Sequence, residues 1–267
     1  MNSTTEPTIQ ELFDLSGKTV LISGASGYLG SAMARGLAEA GARVVISSRS
    51  AERAQKAASE LPDPQQVGHL GVELDHMDEA SLENGFDAAC QAAGQIDVLV
   101  NNGNDPVGED WRTVTAEAFT RHLQNATGFF LLARKLRDHV VSRQAQGNVI
   151  MIGSMYGVVG SYPATYEGIC NASPVAYHTM KGGVIHQTRH LAVYWAKDGV
   201  RVNCLSPGPF PSEAAPEGLA ERLNAHSPMG RMGKPSELKG AIVFLASDAS
   251  SYITGQNLLV DGGWTAW

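Results

Sequence analysis

With 267 residues, 43% of them hydrophobic and 18% charged, the chain is long enough for one substantial core and too apolar to be disordered. Twenty Lys and Arg against 27 Asp and Glu give a formal charge of −7 with no basic run, which argues against nucleic acid or an anionic membrane surface as a partner. Cys90, Cys170 and Cys204 are scattered, with no C-x-x-C and no Cys/His cluster, so neither a disulfide framework nor a zinc site is indicated. After MNSTTEPTIQ, read with the rest of 1–17 as a polar leader and not a signal peptide, the elements begin.

KTVLIS (18–23) reads as a first strand, followed by helical spacing over 27–41 and a second strand, ARVVIS (42–47). Ser50 is placed to cap the next helix, AERAQKAASEL. Strands at 67–74 and 96–101 flank a helix from Glu79 to Ala93, and one long helical pattern covers 115–141. A strand at 147–153 follows, then a helix with Ser173 as N-cap and Pro174 in its first position, running to about Ala196. Further on come a strand (201–208), a helix (235–247) and a last strand (256–263). Short apolar strands alternating with helices predict a single α/β domain over 18–267, a Rossmann-type doubly wound parallel sheet with helices on both faces. The Pro-, Gly- and Ser-rich stretch 206–235 is too long for an idle connection and reads as a substrate-covering lobe, weakly helical at best. No run approaches the length of a membrane span, and a cytoplasmic location is expected.

SGASGYLG (23–30) joins the first strand to the first helix. Glycines there let the backbone turn sharply and approach a pyrophosphate, which the free N–H groups of the helix N-terminus attract. Gly24, Ser26, Gly27, Tyr28, Leu29 and Gly30 are therefore candidate cofactor contacts. Tyr177 and Lys181 stand one turn apart on a helix. A phenol with an unperturbed pKa of about 10 is a poor base, and a neighbouring ammonium favours its ionised form. The pair makes a proton-transfer group suited to work beside a hydride carrier.

Together with NNG (101–103), Asn125, Ser154, RVN (201–203), the Pro207-Gly208 turn and SSYITGQNLLVDGG near the C-terminus, these features resemble the short-chain dehydrogenase/reductase family from about Lys18 to the end. The resemblance implies that Tyr177 is the general acid/base and that Lys181 lowers its pKa and binds ribose hydroxyls. It also implies that Ser154 bonds the substrate oxygen and that Asn125 holds a water linking Lys181 to solvent. The implied cofactor contacts extend to Ser48, Arg49, Asp75, His76, Asn102, Gly103, Pro207, Gly208, Phe210 and Ser212.

Several positions depart from the family pattern. The glycines follow G-x-x-G-x-x-G, a spacing more usual in the family's sugar-nucleotide-modifying branch. NNGN replaces NNAG, adding Asn104 near the nicotinamide end. Ser154 and Tyr177 lie 23 residues apart, further than is usual, and the inserted segment (about 158–173) contains Tyr162, Tyr166 and Glu167. That insertion and the GWTAW ending resemble a subgroup with gluconate 5-dehydrogenase-like sugar-acid dehydrogenases and oxidoreductases of bacterial surface-sugar biosynthesis. Asn104, Ser154, Tyr166 and Glu167 are the expected substrate contacts.

The expected function is NAD(P)-dependent interconversion of a secondary alcohol and a ketone on a sugar, sugar acid or polyol. The alternatives are a non-redox epimerase or dehydratase using transient oxidation, and a non-catalytic dinucleotide sensor. NADP is preferred and NAD remains possible, because Ser48 stands where NAD sites place a carboxylate and Arg49 can pair with a 2′-phosphate. No metal is expected. A homotetramer is expected, from the family resemblance and from apolar Phe129, Phe130, Leu191, Val193 and Trp195 beyond one helix face.

Overall fold

The computed structural model describes residues 6–212 and 214–267. In chain order the helices and strands are α1 (Ile9–Phe13), β1 (Thr19–Ser23), α2 (Tyr28–Glu39), β2 (Arg43–Ser48), α3 (Ala51–Ser59), β3 (Leu70–Glu73), α4 (Glu79–Ala93) and β4 (Val98–Asn101). The second half adds α5 (Ala116–Ser142), β5 (Gly147–Ile152), α6 (Pro163–Tyr166), α7 (Val175–Trp195), β6 (Val200–Pro207), α8 (Leu219–Asn224), α9 (Lys239–Ala246) and β7 (Asn257–Val260). Every strand pairing is parallel, in the order β3-β2-β1-β4-β5-β6-β7. The order reverses between β1 and β4, the point at which sheets of this kind open a crevice for a ligand.

Central strands buried on both faces explain their unbroken apolar runs: all five residues of β1 and all six of β5 are buried. One core layer lies under α4, α5 and α7, with Phe86, Leu132 and Val184 against Leu99 and Val149. The other lies under α2, α3 and α9, with Met33, Ala54 and Ile242 against Val20 and Val44. Side-chain caps fix several helix starts: Ser50 accepts from the Arg53 N–H, Asp78 from the Ser81 N–H and Thr115 from the Ala118 N–H.

Four features differ from expectation. The polar leader contains α1, closed by a capping box between Thr8 and Glu11. Phe13 packs near Phe244, and the following Leu15 is fully buried. α7 starts one residue late, with Pro174 as its N-cap, and Ser173 bonds His178 instead of capping. The insertion and the 206–235 stretch each carry a short helix, α6 and α8. Phe129 and Leu191 are core residues and Phe130 and Trp195 pack against the core, so the spare apolar surface there is Val193, with Tyr194 beside it.

Candidate active site

The glycine turn is held by the end of β4. Asn102 Nδ2 donates to the carbonyls of Ser23 and Gly24, at 3.0 and 3.1 Å, while the N–H groups of Asn102 and Gly103 both donate to Ser23 Oγ. Gly24 adopts φ +64°, and a Cβ there would lie 2.8 Å from Gly103 Cα. A Cβ on Gly30 would lie 2.7 Å from Asn102 Nδ2. Gly27 is the N-cap of α2 and supplies no side chain to it, so the first N–H groups of that helix stay available to an anion. Tyr28 lies across this turn and donates from its hydroxyl to the Pro211 carbonyl at 3.2 Å; Leu29 packs against the core below, and Ser26 is exposed.

At the end of β2, Ser48 is buried and its hydroxyl accepts from the Ser50 N–H. Arg49 is exposed and shares Asp105 with Arg121, at 3.8 and 2.9 Å. The Asp75 carboxylate accepts from the Met77 N–H, a local turn contact. His76 reaches inward, and its Nε2–H donates to Asn125 Oδ1 at 2.8 Å. This accounts for glycine at position 103: a Cβ there would meet His76 Nδ1 at 2.8 Å.

Asn125 has its side chain fully engaged. Its Oδ1 accepts from His76 and from the Asp105 N–H, and its Nδ2 donates to the carbonyls of His122 and Asp105. It anchors the 103–105 loop to α5. A relay water at this position has to use the main chain, because the amide has no donor left.

Ser154 follows β5 and caps the next turn, its hydroxyl accepting from the Tyr156 N–H at 3.1 Å. That turn presses on α7 through Gly157, where a Cβ would lie 2.8 Å from the Lys181 carbonyl. The close approach sets Ser154 against Tyr177, and both line one cleft. Lys181 is buried, donates from Nζ to the Ile152 carbonyl at 2.7 Å, and sits 5.6 Å from the Tyr177 ring centre. Burial pushes its ammonium down to about 8. Burial pushes the Tyr177 phenol up, and the hydrogen bond with Ser154 opposes that shift. Here the ammonium is turned to a carbonyl, and Ser154 is the group that favours phenolate.

The cleft holds about 400 Å³, within the range of small-molecule sites. Asn104 and Tyr166 line it, as do Gly208 and Phe210. Pro207 ends β6, and Gly208 passes so close to Asp261 that a Cβ would lie 2.4 Å from its Cα. Two expected residues stand apart. Glu167 is exposed beyond the end of α6 and presents only its carbonyl, to Arg222, while Ser212 is exposed on the neighbouring loop and does not line the cleft.

The sequence reading missed His122, Tyr156 and Ser173, all lining the cleft. His122 lies three residues before Asn125 and so on the same helix face, a spacing that could have revealed it. Among the described residues no group of His, Cys, Asp and Glu is arranged to hold a metal, and no helix is long and apolar enough to cross a membrane.

A family model described as "Enoyl-(Acyl carrier protein) reductase" matches residues 24–265. An NADP-dependent mannitol dehydrogenase of Alternaria alternata is 34% identical over 263 residues, covering 96% of this chain and 95% of that protein. A gluconate 5-dehydrogenase of Gluconobacter oxydans is 33% identical over 266 residues, covering 96% and 97%. The crystal structure of a gluconate 5-dehydrogenase from Burkholderia cenocepacia, in complex with NADP and tartrate, superposes with a TM-score of 0.85 at 29% identity, covering 97% and 99%. With its glycine turn, its serine, tyrosine and lysine at one cleft and these relatives along nearly its whole length, the chain belongs to the short-chain dehydrogenase/reductase family and is an oxidoreductase acting on alcohol groups.

Proposed function

We propose that the protein interconverts a secondary alcohol and a ketone on a sugar, sugar acid or polyol, with NADP as its preferred cofactor. The observation that carries this reading is the meeting of Ser154 and Tyr177 in one cleft, above a buried Lys181 and beside an uncapped helix N-terminus. The residues fit a dinucleotide: Gly24 and Gly30 let the turn pack against Gly103 and Asn102, Gly27 leaves the first N–H groups of α2 to a pyrophosphate, Arg49 is free on its outer side for a 2′-phosphate, and Ser48 brings no repelling carboxylate. When bound, the nicotinamide accepts or supplies the hydride.

The protein's own groups handle the proton. Ser154 Oγ holds the substrate oxygen, and Tyr177 Oη takes the hydroxyl proton in oxidation or returns it in reduction. Ser154 favours the ionised phenol, Lys181 beneath it supplies an ammonium that can turn from the Ile152 carbonyl to ribose hydroxyls, and Asn125 fixes the loop that closes the nicotinamide end. The relatives' names, mannitol and gluconate dehydrogenases, support a sugar-type substrate. We place the protein in the cytoplasm as a homotetramer, an assembly in which the exposed Val193 and Tyr194 on α7 would be covered.

The test is nicotinamide absorbance with a panel of sugars, aldonates and polyols in both directions. Net reduction or oxidation of cofactor is expected, whereas an epimerase would leave it unchanged. Tyr177→Phe should lose about 10²- to 10⁴-fold in kcat with cofactor affinity nearly intact. A phenylalanine variant keeping most of its turnover would overturn the assignment.

A further inference from the structure

We propose that the cleft is built for an electrically neutral, hydroxyl-rich substrate, a polyol or the matching keto-sugar, and turns away sugar acids. This rests on the oxidoreductase reading above and narrows its substrate class. Among the described residues lining the cleft there is no Asp, Glu, Lys or Arg. Lys181 lies beneath it with its ammonium on the Ile152 carbonyl. A carboxylate entering here leaves water and meets no cation in exchange.

The polar side chains that do face the cleft are uncharged, and one of them is a fixed acceptor. His122 donates from Nδ1 to the Asp105 carbonyl at 2.9 Å, so its Nε2 carries a lone pair. That nitrogen is buried, has no protein partner, and belongs to a residue lining the cleft. Burial holds the imidazole neutral by lowering its pKa. An unpaired buried acceptor gains from a substrate O–H and loses against a carboxylate oxygen.

A second neutral partner is the pair formed by Tyr156 Oη and Tyr166 Oη, 2.5 Å apart. One proton bridges the two hydroxyls, which leaves the pair one O–H and its lone pairs to offer a substrate hydroxyl. Burial holds both phenols protonated.

The facing wall is apolar, formed by Pro209, Phe210, Pro211, Ala215, Leu219 and Leu223. It suits the C–H side of a carbon chain whose hydroxyls point the other way. A fully apolar substrate would satisfy that wall and leave His122 Nε2 unpaired.

The experiment compares kcat/KM with NADP for a hexitol, the aldonate of the same configuration and a hydroxysteroid. The hexitol should exceed both by at least about tenfold, the scale on which a polar site rejects a ligand that leaves its groups unpaired. Tyr166→Phe keeps the ring, removes the hydroxyl bonded to Tyr156 Oη, and should raise hexitol KM about tenfold while kcat changes little. Leu219→Arg adds a cation at the partly exposed apolar wall and should shift the aldonate-to-hexitol ratio upward by about tenfold or more. An aldonate or hydroxysteroid used as well as the hexitol, or no movement of the ratio in Leu219→Arg, overturns the neutral-substrate assignment and leaves the oxidoreductase reading standing. Bound NADP with no turnover on any sugar, aldonate or polyol overturns both.

Discussion

The two halves of the site are built by different means. The cofactor half, around β1, β2 and β4, is assembled from backbone: glycines pass within a Cβ of one another, and Asn102 and Ser23 bond main-chain groups. The substrate half is assembled from side chains that arrive from distant segments. Tyr156 meets Tyr166, and behind them Tyr162 stacks on His226 at 3.9 Å with Trp264 edge-on at 5.7 Å. Backbone close approach admits almost no substitution, whereas a side-chain wall can be rewritten while the sheet beneath it stays as it is. One half therefore fixes the type of chemistry and the other fixes the substrate.

The largest effect that separates them is expected from replacing 160–173 with a short linker. This removes Tyr166 and Ser173 from the cleft and the Tyr162 stack from its support. Turnover of the native substrate should fall by more than about 100-fold, beyond the loss from one missing hydrogen bond, while dinucleotide affinity stays within about twofold. Calorimetric titration with NADP beside a steady-state assay checks both. Parallel loss of cofactor affinity would mean that the halves are not separable.

Gly30→Ala makes the converse cut. Its Cβ would stand 2.7 Å from Asn102 Nδ2 and 2.8 Å from the Gly24 carbonyl, so either the turn or the Asn102 contacts must shift. Overpacking of this kind costs about 1–3 kcal/mol, and dinucleotide affinity should weaken by about tenfold or more as the helix N-terminus moves. Differential scanning calorimetry and the same titration read the two consequences. A variant that binds NADP normally would show the turn to be more compliant than the packing indicates.

Much of the first half was legible in the sequence and less of the second. α4 has the bounds its apolar spacing and Asp78 cap require, because a helix face repeats every three to four residues. The glycine turn and the end of β4 are equally readable, since a backbone need leaves a residue-type signature. The insertion has no such period. Tyr166 and Glu167 are neighbours, yet α6 buries one in the cleft and leaves the other in solvent, and nothing local decides which. α1 was hidden inside a polar leader; its capping box, Phe13 at its end and Leu15 after it fix it in place.

Lys181 lies under both halves and gives a smaller, pH-dependent signature. Its folded pKa is about 8 against an ordinary 10.5, so between those values the unfolded chain binds more protons than the folded one. Stability contributed by this position therefore rises with pH across that window, and below pH 8 the cost of the buried ammonium is fully present. The full span corresponds to about 3 kcal/mol. Lys181→Met lacks the titration, so the Tm of the parent relative to the variant should climb from pH 8 to pH 10. A constant difference would show that the ammonium is better solvated than its burial implies.

The smallest expected effect lies at the outer edge of the cofactor half and tests how finely that half is tuned. Ser48 is buried at the end of β2, where a carboxylate would accept from an adenosine ribose 2′-OH and repel a 2′-phosphate. Asp75 does not supply that group, because its carboxylate is held by the Met77 N–H. Arg49 faces outward with only a long contact to Asp105, at 3.8 Å, and can exchange it for a phosphate, whose charge and fork of oxygens suit a guanidinium better. Ser48→Asp should therefore move the NADP-to-NAD ratio of kcat/KM toward NAD by about tenfold, or 1.4 kcal/mol. The substrate half should not register the change, so KM for the alcohol should hold constant with either cofactor at saturation. Arg121 takes up Asp105 at 2.9 Å when Arg49 turns to the phosphate, so no carboxylate is left unpaired and the 103–105 loop keeps its place on Asn125. A parent that already prefers NAD tenfold would show that Arg49 serves only Asp105, and that the end of β2 does not read the 2′ position.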